Sequence, residues 1–334
     1  MSCLLCGSRE STPYLVGRDR LLGRSREYTI VRCCGCGFRY LWPRPHSSEF
    51  GEHYPAEYFP YHTPVSKLSD RASHGPFGRF KWRMDCVNLR RMGYPMDGVP
   101  PPGSVELRLA PLRWTKLQHT ILPPRGRCRM LDIGCGSGLF LYRHKDLGWE
   151  TWGVEKSPVA GELARGAGLR VITEPIETAD LPQGYFDVIV MLHVLEHLEN
   201  PVGLLARLRP LLAPGGQLII EVPCADSWGL RFWGTYWFFL DLPRHLSHFG
   251  RADLTRLVAA TGYRIVRHLT RSESEWHASS LDYWLEDHGW PRSMFRERGF
   301  VRRTKLHRKL GSLIARSAGG EAGDALRVWL EPIH

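Results

Sequence analysis

The segment Leu131-Asp132-Ile133-Gly134-Cys135-Gly136-Ser137-Gly138 constrains the fold more than any other stretch of the 334 residues. It joins a short apolar run, 128–133, to a helical pattern at 139–147 through three glycines, each two residues after the last. Glycines placed there let a chain leave a buried strand through a turn in which the backbone adopts positive φ or comes close to another group. Downstream the pattern is regular: strand signals at 151–155, 169–173, 186–192 and 217–223, with helical signals at 158–167 and 201–212 among them. This alternation predicts βαβ units and a parallel sheet. Runs at 263–270 and 324–331 read as two more strands. Upstream, weak helical periodicity covers about 66–94, and a short helix is expected over 105–122.

The glycine spacing also restricts the ligand. Nicotinamide and flavin sites carry a third glycine three residues after the second and seat a pyrophosphate on the helix N-terminus. Here the glycines fall at every second position, and Asp132 stands inside the strand end, two residues before Gly134. Glu155 closes the second strand 23 residues after Asp132, where a carboxylate can accept hydrogen bonds from two ribose hydroxyls. The plainer account of Glu155 is a surface residue at a strand end.

These residues resemble the class I S-adenosylmethionine (SAM)-dependent methyltransferases over about 125–270. Phe186-Asp187-Val188-Ile189, His193-Val194-Leu195-Glu196-His197 and Leu212-Ala213-Pro214-Gly215-Gly216 carry the likeness further. The resemblance implies an α/β, Rossmann-like sheet of seven strands, the last antiparallel. It implies SAM as cofactor, held by Asp132, Gly134, Cys135, Gly136, Ser137, Gly138 and Glu155. Ile176 and Glu177 are expected near the adenine, and His193 beside the cofactor.

A second constellation precedes the sheet. Cys3-x-x-Cys6 and Cys33-x-x-Cys36 are separated by 26 residues. Two such pairs supply four thiolates to a tetrahedral Zn²⁺ and leave no position open for catalysis, so the expected role is structural. Reduced, unliganded thiols are the alternative. Cys34 lies inside the second pair and is read as a bystander. The arrangement resembles a methyltransferase subgroup with an N-terminal zinc-binding domain, which includes sugar C-methyltransferases. In that subgroup the N-terminal domain helps build the substrate site, which puts interest on His53-Tyr54-Pro55-Ala56-Glu57-Tyr58-Phe59. A packed linker is the equal alternative.

Methyl transfer from a sulfonium needs a base only when the acceptor must lose a proton. After the fifth strand, 228–239 holds seven aromatic residues in twelve, followed by Asp241-Leu242-Pro243-Arg244-His245-Leu246-Ser247-His248-Phe249. Ligands of open α/β sheets bind beyond the carboxyl ends of the strands, so the segment reads as a lid. His245 is the first candidate base, His193 the second and His248 a third, His245 and His248 sharing one side if the segment is helical. Backbone hydrogen bonding is the alternative for each, and His197 is read as structural. The sugar C-methyltransferases often have Glu before the corresponding His and Tyr three after it. This chain has Arg244 and His248 instead, which puts keto-sugar C-methylation in doubt. An arginine there would suit a phosphate or carboxylate.

The resulting organisation is a zinc-ribbon-like module over 1–60 and a helical linker or lid over 61–124. The SAM-binding core comes next at 125–270 with an aromatic lid at 225–250, then a basic helical insertion and last strand at 271–334. A net charge of +11 invites nucleic acid as a partner, but residues 128–270 hold 14 basic against 15 acidic residues. The excess sits at 71–127, with 11 basic and 3 acidic residues, and between Arg292 and Arg316, with nine and one. The expected acceptor is a small molecule: a nucleotide-linked sugar, a lipid-like compound or a secondary metabolite. RNA methylation is the alternative, weakened because Leu192-His193-Val194-Leu195 stands where amino-directed nucleic-acid enzymes usually carry Asn/Asp-Pro-Pro-aromatic. A non-catalytic SAM-binding partner protein is a third reading. No apolar run is long enough to span a membrane and no leader pattern opens the chain, so a cytoplasmic location is expected.

Overall fold

The computed structural model describes residues 2–46, 49–55, 63, 65–67, 69–73, 75–290 and 322–333. In chain order the elements are β1 (Ser11–Arg18), β2 (Glu27–Cys33), β3 (Arg39–Leu41), α1 (Phe50–His53), α2 (Gly75–Arg91), α3 (Ser104–Leu109) and α4 (Pro111–Thr120). The sheet region continues with β4 (Arg129–Ile133), α5 (Leu139–Asp146), β5 (Glu150–Val154), α6 (Pro158–Gly166), β6 (Arg170–Ile172), β7 (Phe186–Leu192), α7 (Pro201–Leu208) and β8 (Leu212–Pro223). Last come α8 (Trp228–Trp233), β9 (Ser247–His248), α9 (Arg251–Ala260), β10 (Tyr263–Arg271), α10 (Ser274–Asp287) and β11 (Ala325–Pro332).

Seven strands form one sheet in the order β10-β11-β8-β7-β4-β5-β6. Pairing is parallel for β4–β5 and β5–β6 and antiparallel for β10–β11. The strand order reverses at β4 and β7, the switch point where open α/β sheets bind ligands. The expected Rossmann-like architecture, with its antiparallel last strand, is the one observed. Six of the seven residues of β7 are buried, which explains the unbroken Phe-Asp-Val-Ile-Val-Met run: helices cover both faces of such a strand. Asp187 in that run fastens the entrance of the neighbouring strand. Its Oδ2 accepts the N–H of Arg127 at 3.1 Å and of Arg129 at 3.0 Å.

Two compact units interleave along the chain, Ala56–Val190 with Arg207–Leu218, and Met1–Pro55 with Met191–Ala206 and Ile219–His334. In the first, the helix expected over 105–122 is broken into α3 and α4. Pro111 occupies the first turn of α4, where its missing N–H costs nothing, and it cannot continue the helix before it. The periodicity at 66–94 resolves into a 3₁₀ turn, Ser69–Ser73, and α2. Ser157 caps α6 by accepting the Ala160 N–H, with Pro158 next in line.

The second unit contains a four-stranded sheet, β1-β2-β3-β9, whose last member comes from 247–248. Arg39 pairs with His248 and Tyr40 with Ser247, antiparallel. A helix running from His245 to His248 is therefore absent; Ser247 and His248 are extended because they complete this sheet. Part of the aromatic segment packs inward, while Phe232 stays exposed. Trp233, Trp237, Phe239, Leu240 and Leu246 form one buried cluster with Tyr28, Ile30 and Leu41. Among the described residues, no helix is long and apolar enough to cross a membrane. The basic run Arg292–Arg316 and the residues 56–59 of the aromatic string lie outside the described residues.

Candidate cofactor, metal and acceptor sites

The glycine turn belongs to the first unit. Gly134, Gly136 and Gly138 all have positive φ, 68°, 56° and 86°. Gly138 is needed twice over, because a Cβ there would also lie 2.3 Å from Leu169 Cδ1. The Gly134 N–H donates to the Val154 carbonyl at 2.7 Å. The Gly136 N–H donates to Glu155 Oε2 at 2.8 Å, while Glu155 Oε1 accepts the Ser157 N–H at 2.8 Å. Glu155 is thus buried and oriented by two backbone donors, with lone pairs left for further ones. Burial, and after it the nearby Glu155 carboxylate, drives the Asp132 carboxyl well above the usual range. A cationic group brought to Asp132 would reverse that shift, and a ligand ammonium supplies one.

The other residues expected at the cofactor have the following surroundings. The Ser137 hydroxyl donates to the Thr63 carbonyl at 2.6 Å. Cys135 is buried, and its Sγ would be 2.7 Å from a Cβ on Gly153, so it packs between β4 and β5. Ile176 is buried and its carbonyl accepts the Arg207 Nε–H at 3.0 Å, whereas Glu177 is exposed.

In the second unit the two cysteine pairs converge. Cys3 and Cys36 sulfurs are 3.6 Å apart, those of Cys6 and Cys33 3.5 Å, and all four lie within 4.8 Å of one another. A tetrahedral ion with about 2.3 Å bonds to sulfur sets neighbouring sulfurs about 3.8 Å apart, so the donor set fits Zn²⁺. Each knuckle ends on a glycine of positive φ, Gly7 and Gly37, whose N–H returns 2.9 Å to the carbonyl of Cys3 and Cys33 respectively. Burial opposes ionisation of Cys33, but the Cys36 and Gly35 N–H groups and the Cys6 thiol outweigh it and bring the thiol down to about 7.

The candidate bases also fall in the second unit, in a buried, ionic cluster. His245 Nδ1 lies 2.9 Å from the Phe239 carbonyl oxygen, which can only accept, so Nδ1 carries a hydrogen and Nε2 is the nitrogen turned to the carboxylates. That nitrogen stands 3.9 Å from Glu196 Oε1 and 3.7 Å from Asp241 Oδ2. His197 is anchored the same way: its Nδ1 is 3.0 Å from the Arg244 carbonyl and 2.9 Å from the Tyr54 hydroxyl. Burial, reinforced by His245, pulls His197 down to about 4. Burial also holds His248 near 3, with His245 and Arg39 adding to it, so both rings are neutral. Glu196, His197 and His245 bring three potential ligand atoms within 4.8 Å of one another, a spacing that a divalent cation can also use.

His193 differs from the other three. Its backbone has φ 58°, and its ring stacks on Phe239 at 5.4 Å. Nε2 lies 3.1 Å from Glu221 Oε1 and Nδ1 3.5 Å from Glu196 Oε1. Burial pulls its pKa down, but the two carboxylates outweigh burial and raise it to about 9. With a carboxylate near each nitrogen the ring is held as an imidazolium at neutral pH, which has no lone pair to take a proton.

Arg244, a candidate from sequence for holding a phosphate or carboxylate, is already engaged. It is fully buried, its Nη1 and Nη2 donating to Asp19 at 3.0 and 2.8 Å and its Nε to Asp241 at 2.9 Å. Motif and spacing assigned no role to Glu221, which also accepts from Arg271 and Arg327 at 2.7 Å each. The signal was an acidic residue inside the apolar run Leu-Ile-Ile-Glu-Val-Pro, since buried carboxylates need partners.

The fold, the glycine turn and the paired acidic residues define a methyltransferase of the SAM-dependent, Rossmann-like class. A profile described as a methyltransferase domain matches residues 107–268. A ubiquinone biosynthesis O-methyltransferase of Cereibacter sphaeroides is 32% identical over 190 residues, spanning 54% of this chain and 72% of the relative. A tRNA U34 carboxymethyltransferase of Syntrophotalea carbinolica is 32% identical over 154 residues, 44% of each chain. The crystal structure of a SAM-dependent methyltransferase from Archaeoglobus fulgidus is similar at 23% identity, covering 68% of this chain and 94% of that one with a TM-score of 0.43. The chain belongs to the class I SAM-dependent methyltransferases.

Proposed function

We propose that the chain methylates a small-molecule acceptor and that His245 takes the acceptor's proton. The observation that carries this reading is the setting of His245. Its Nδ1–H is fixed on the Phe239 carbonyl, and its Nε2 stands between the carboxylates of Glu196 and Asp241. Those two charges stabilise the imidazolium that proton uptake creates, the service a carboxylate performs for a catalytic histidine elsewhere. Both Glu196 oxygens are buried without hydrogen-bond partners among the described residues, and the carboxylate faces the His193 ring at 3.5 Å as well as the His245 ring at 3.9 Å, so the two rings share its charge. SAM, when bound, supplies a methyl group already activated on a sulfonium. The task left to the protein is to hold the reactants in line and keep water out. We assign the cofactor to Asp132, Gly134, Gly136 and Glu155, and a structural Zn²⁺ to Cys3, Cys6, Cys33 and Cys36.

RNA is the second reading, supported by the tRNA-modifying relatives and the basic excess at 71–127. The test is transfer of radiolabelled methyl from SAM into a cell extract, fractionated with and without ribonuclease. Label in small molecules or lipids, indifferent to ribonuclease, supports the proposal; label in a ribonuclease-sensitive polymer overturns it. With the labelled product in hand, His245→Asn should lower kcat by about 10²–10⁴-fold, the usual contribution of a general base. Unchanged turnover would remove His245 from the mechanism.

A further inference from the structure

We infer that Arg44 is an anchor for an oxyanion, a carboxylate or phosphate borne by the acceptor. The inference rests on the reading of the His245 neighbourhood as the acceptor's end of the site. Arg44 is held between Pro43 and Pro45, two residues with fixed φ. Its Nη1 donates to the Glu199 carbonyl at 3.3 Å. Its Nε and Nη2 are buried and have no hydrogen-bond partner among the described residues. Those two N–H groups lie along one edge of the guanidinium and point the same way, the fork that takes both oxygens of a carboxylate or two oxygens of a phosphate.

Other buried and half-buried arginines of this unit show the contrast. Arg39 meets Asp226 at 2.6 Å, Arg244 meets Asp19 at 2.8 Å, and Arg271 and Arg327 share Glu221 at 2.7 Å each. Among the described residues, Arg44 has only a carbonyl. Burial lowers its pKa, and the opposing pull of Glu199, the larger of two, does not restore it. A cation withdrawn from water without a counter-ion costs stability, and such a cost is commonly kept where a ligand supplies the missing charge. The position suits an acceptor. Glu199 follows His197 by two residues, and the ring of His197 is 4.6 Å from that of His245.

The test uses the full-length protein, wild type against Arg44→Gln and Arg44→Lys. Melting is followed in chloride, inorganic phosphate or acetate at equal ionic strength, and cofactor binding by calorimetry with S-adenosylhomocysteine. The wild type should melt higher in phosphate or acetate, saturably, and whichever anion acts identifies the group. Arg44→Gln should lose that rise, with anion affinity down about ten-fold or more, as expected for losing two charge-assisted hydrogen bonds. Arg44→Lys should retain part of it, because its charge remains but its fork is gone. In chloride alone Arg44→Gln should melt no lower than wild type, since an unpaired charge has been removed. Three results would each overturn the inference: no rise in the wild type with either anion, an equal rise in wild type and Arg44→Gln, or a lower melting point for Arg44→Gln in chloride. S-adenosylhomocysteine binding should be equal in all three proteins. Its absence from the wild type would strike at the methyltransferase reading instead, so the two failures are told apart.

Discussion

Replacing Asp19 by alanine removes the bidentate partner of a guanidinium that is fully buried, and both members of this pair have 0% side-chain exposure. Arg244 would keep Asp241, at 2.7 Å, and the His53 carbonyl, at 3.4 Å, and the Leu22 N–H would lose its acceptor as well. Breaking a buried ion pair from one side costs about 3–5 kcal/mol, because the remaining charge stays out of water with one counter-ion fewer. Unfolding entropy of about 2.1 cal/mol/K per residue amounts to about 0.7 kcal/mol/K for 334 residues, so the melting temperature should fall by about 4–7 °C. Asp19→Asn keeps an oxygen for the Leu22 N–H and should fall by less. The assay is calorimetric melting at pH 7 with hydrogen exchange followed over 11–41 and 241–249. Faster exchange should appear in both segments, because Asp19 and Arg244 fasten one to the other. A melting temperature for Asp19→Ala within about 1 °C of wild type would refute the reasoning and mean that water reaches the pair.

Three further outcomes are expected. Cys36→Ser should lose its metal and expose the sheet of β1, β2 and β3 to rapid hydrogen exchange; zinc content equal to wild type would remove the four-sulfur site. Asp132→Ala and Glu155→Ala should each weaken SAM binding by calorimetry by about ten-fold or more, the scale of one lost charge-assisted hydrogen bond; equal affinity in both would sink the cofactor assignment. Treatment with a chelator too weak to strip four thiolates should leave methyl transfer intact, because the proposed base is His245 itself. Activity lost and then restored by Mg²⁺ or Zn²⁺ would transfer the role to a cation held by Glu196, His197 and His245.

The sheet was legible because each of its signals is local. The glycine turn and the alternation of strand and helix patterns need only neighbouring residues to be read, and β4, β5, β7, β10 and β11 fall within a residue of the expected bounds. The four-stranded sheet was not legible. Its β3–β9 pairing joins residues 39–40 to 247–248, and nothing local in Ser247-His248 marks a strand. The same long-range pairing defeated the helical reading of His245 and His248. The roles of the histidines were hidden for a related reason: four rings in similar sequence contexts differ by which carbonyls and carboxylates reach them. Only the folded chain brings Glu221 from β8 to His193 and Phe239 to His245.

The strand β9 has a consequence for dissecting the chain. Because 247–248 complete the sheet that begins with β1, the four-cysteine module is not a detachable bead on the front of a catalytic domain. A fragment starting after residue 60 would leave Trp233, Trp237, Phe239 and Leu246 without Tyr28, Ile30 and Leu41, presenting a sticky apolar face to solvent. Grafting the module onto another enzyme would need the 225–250 segment to travel with it, so the two are one heritable unit despite the long stretch of sequence between them.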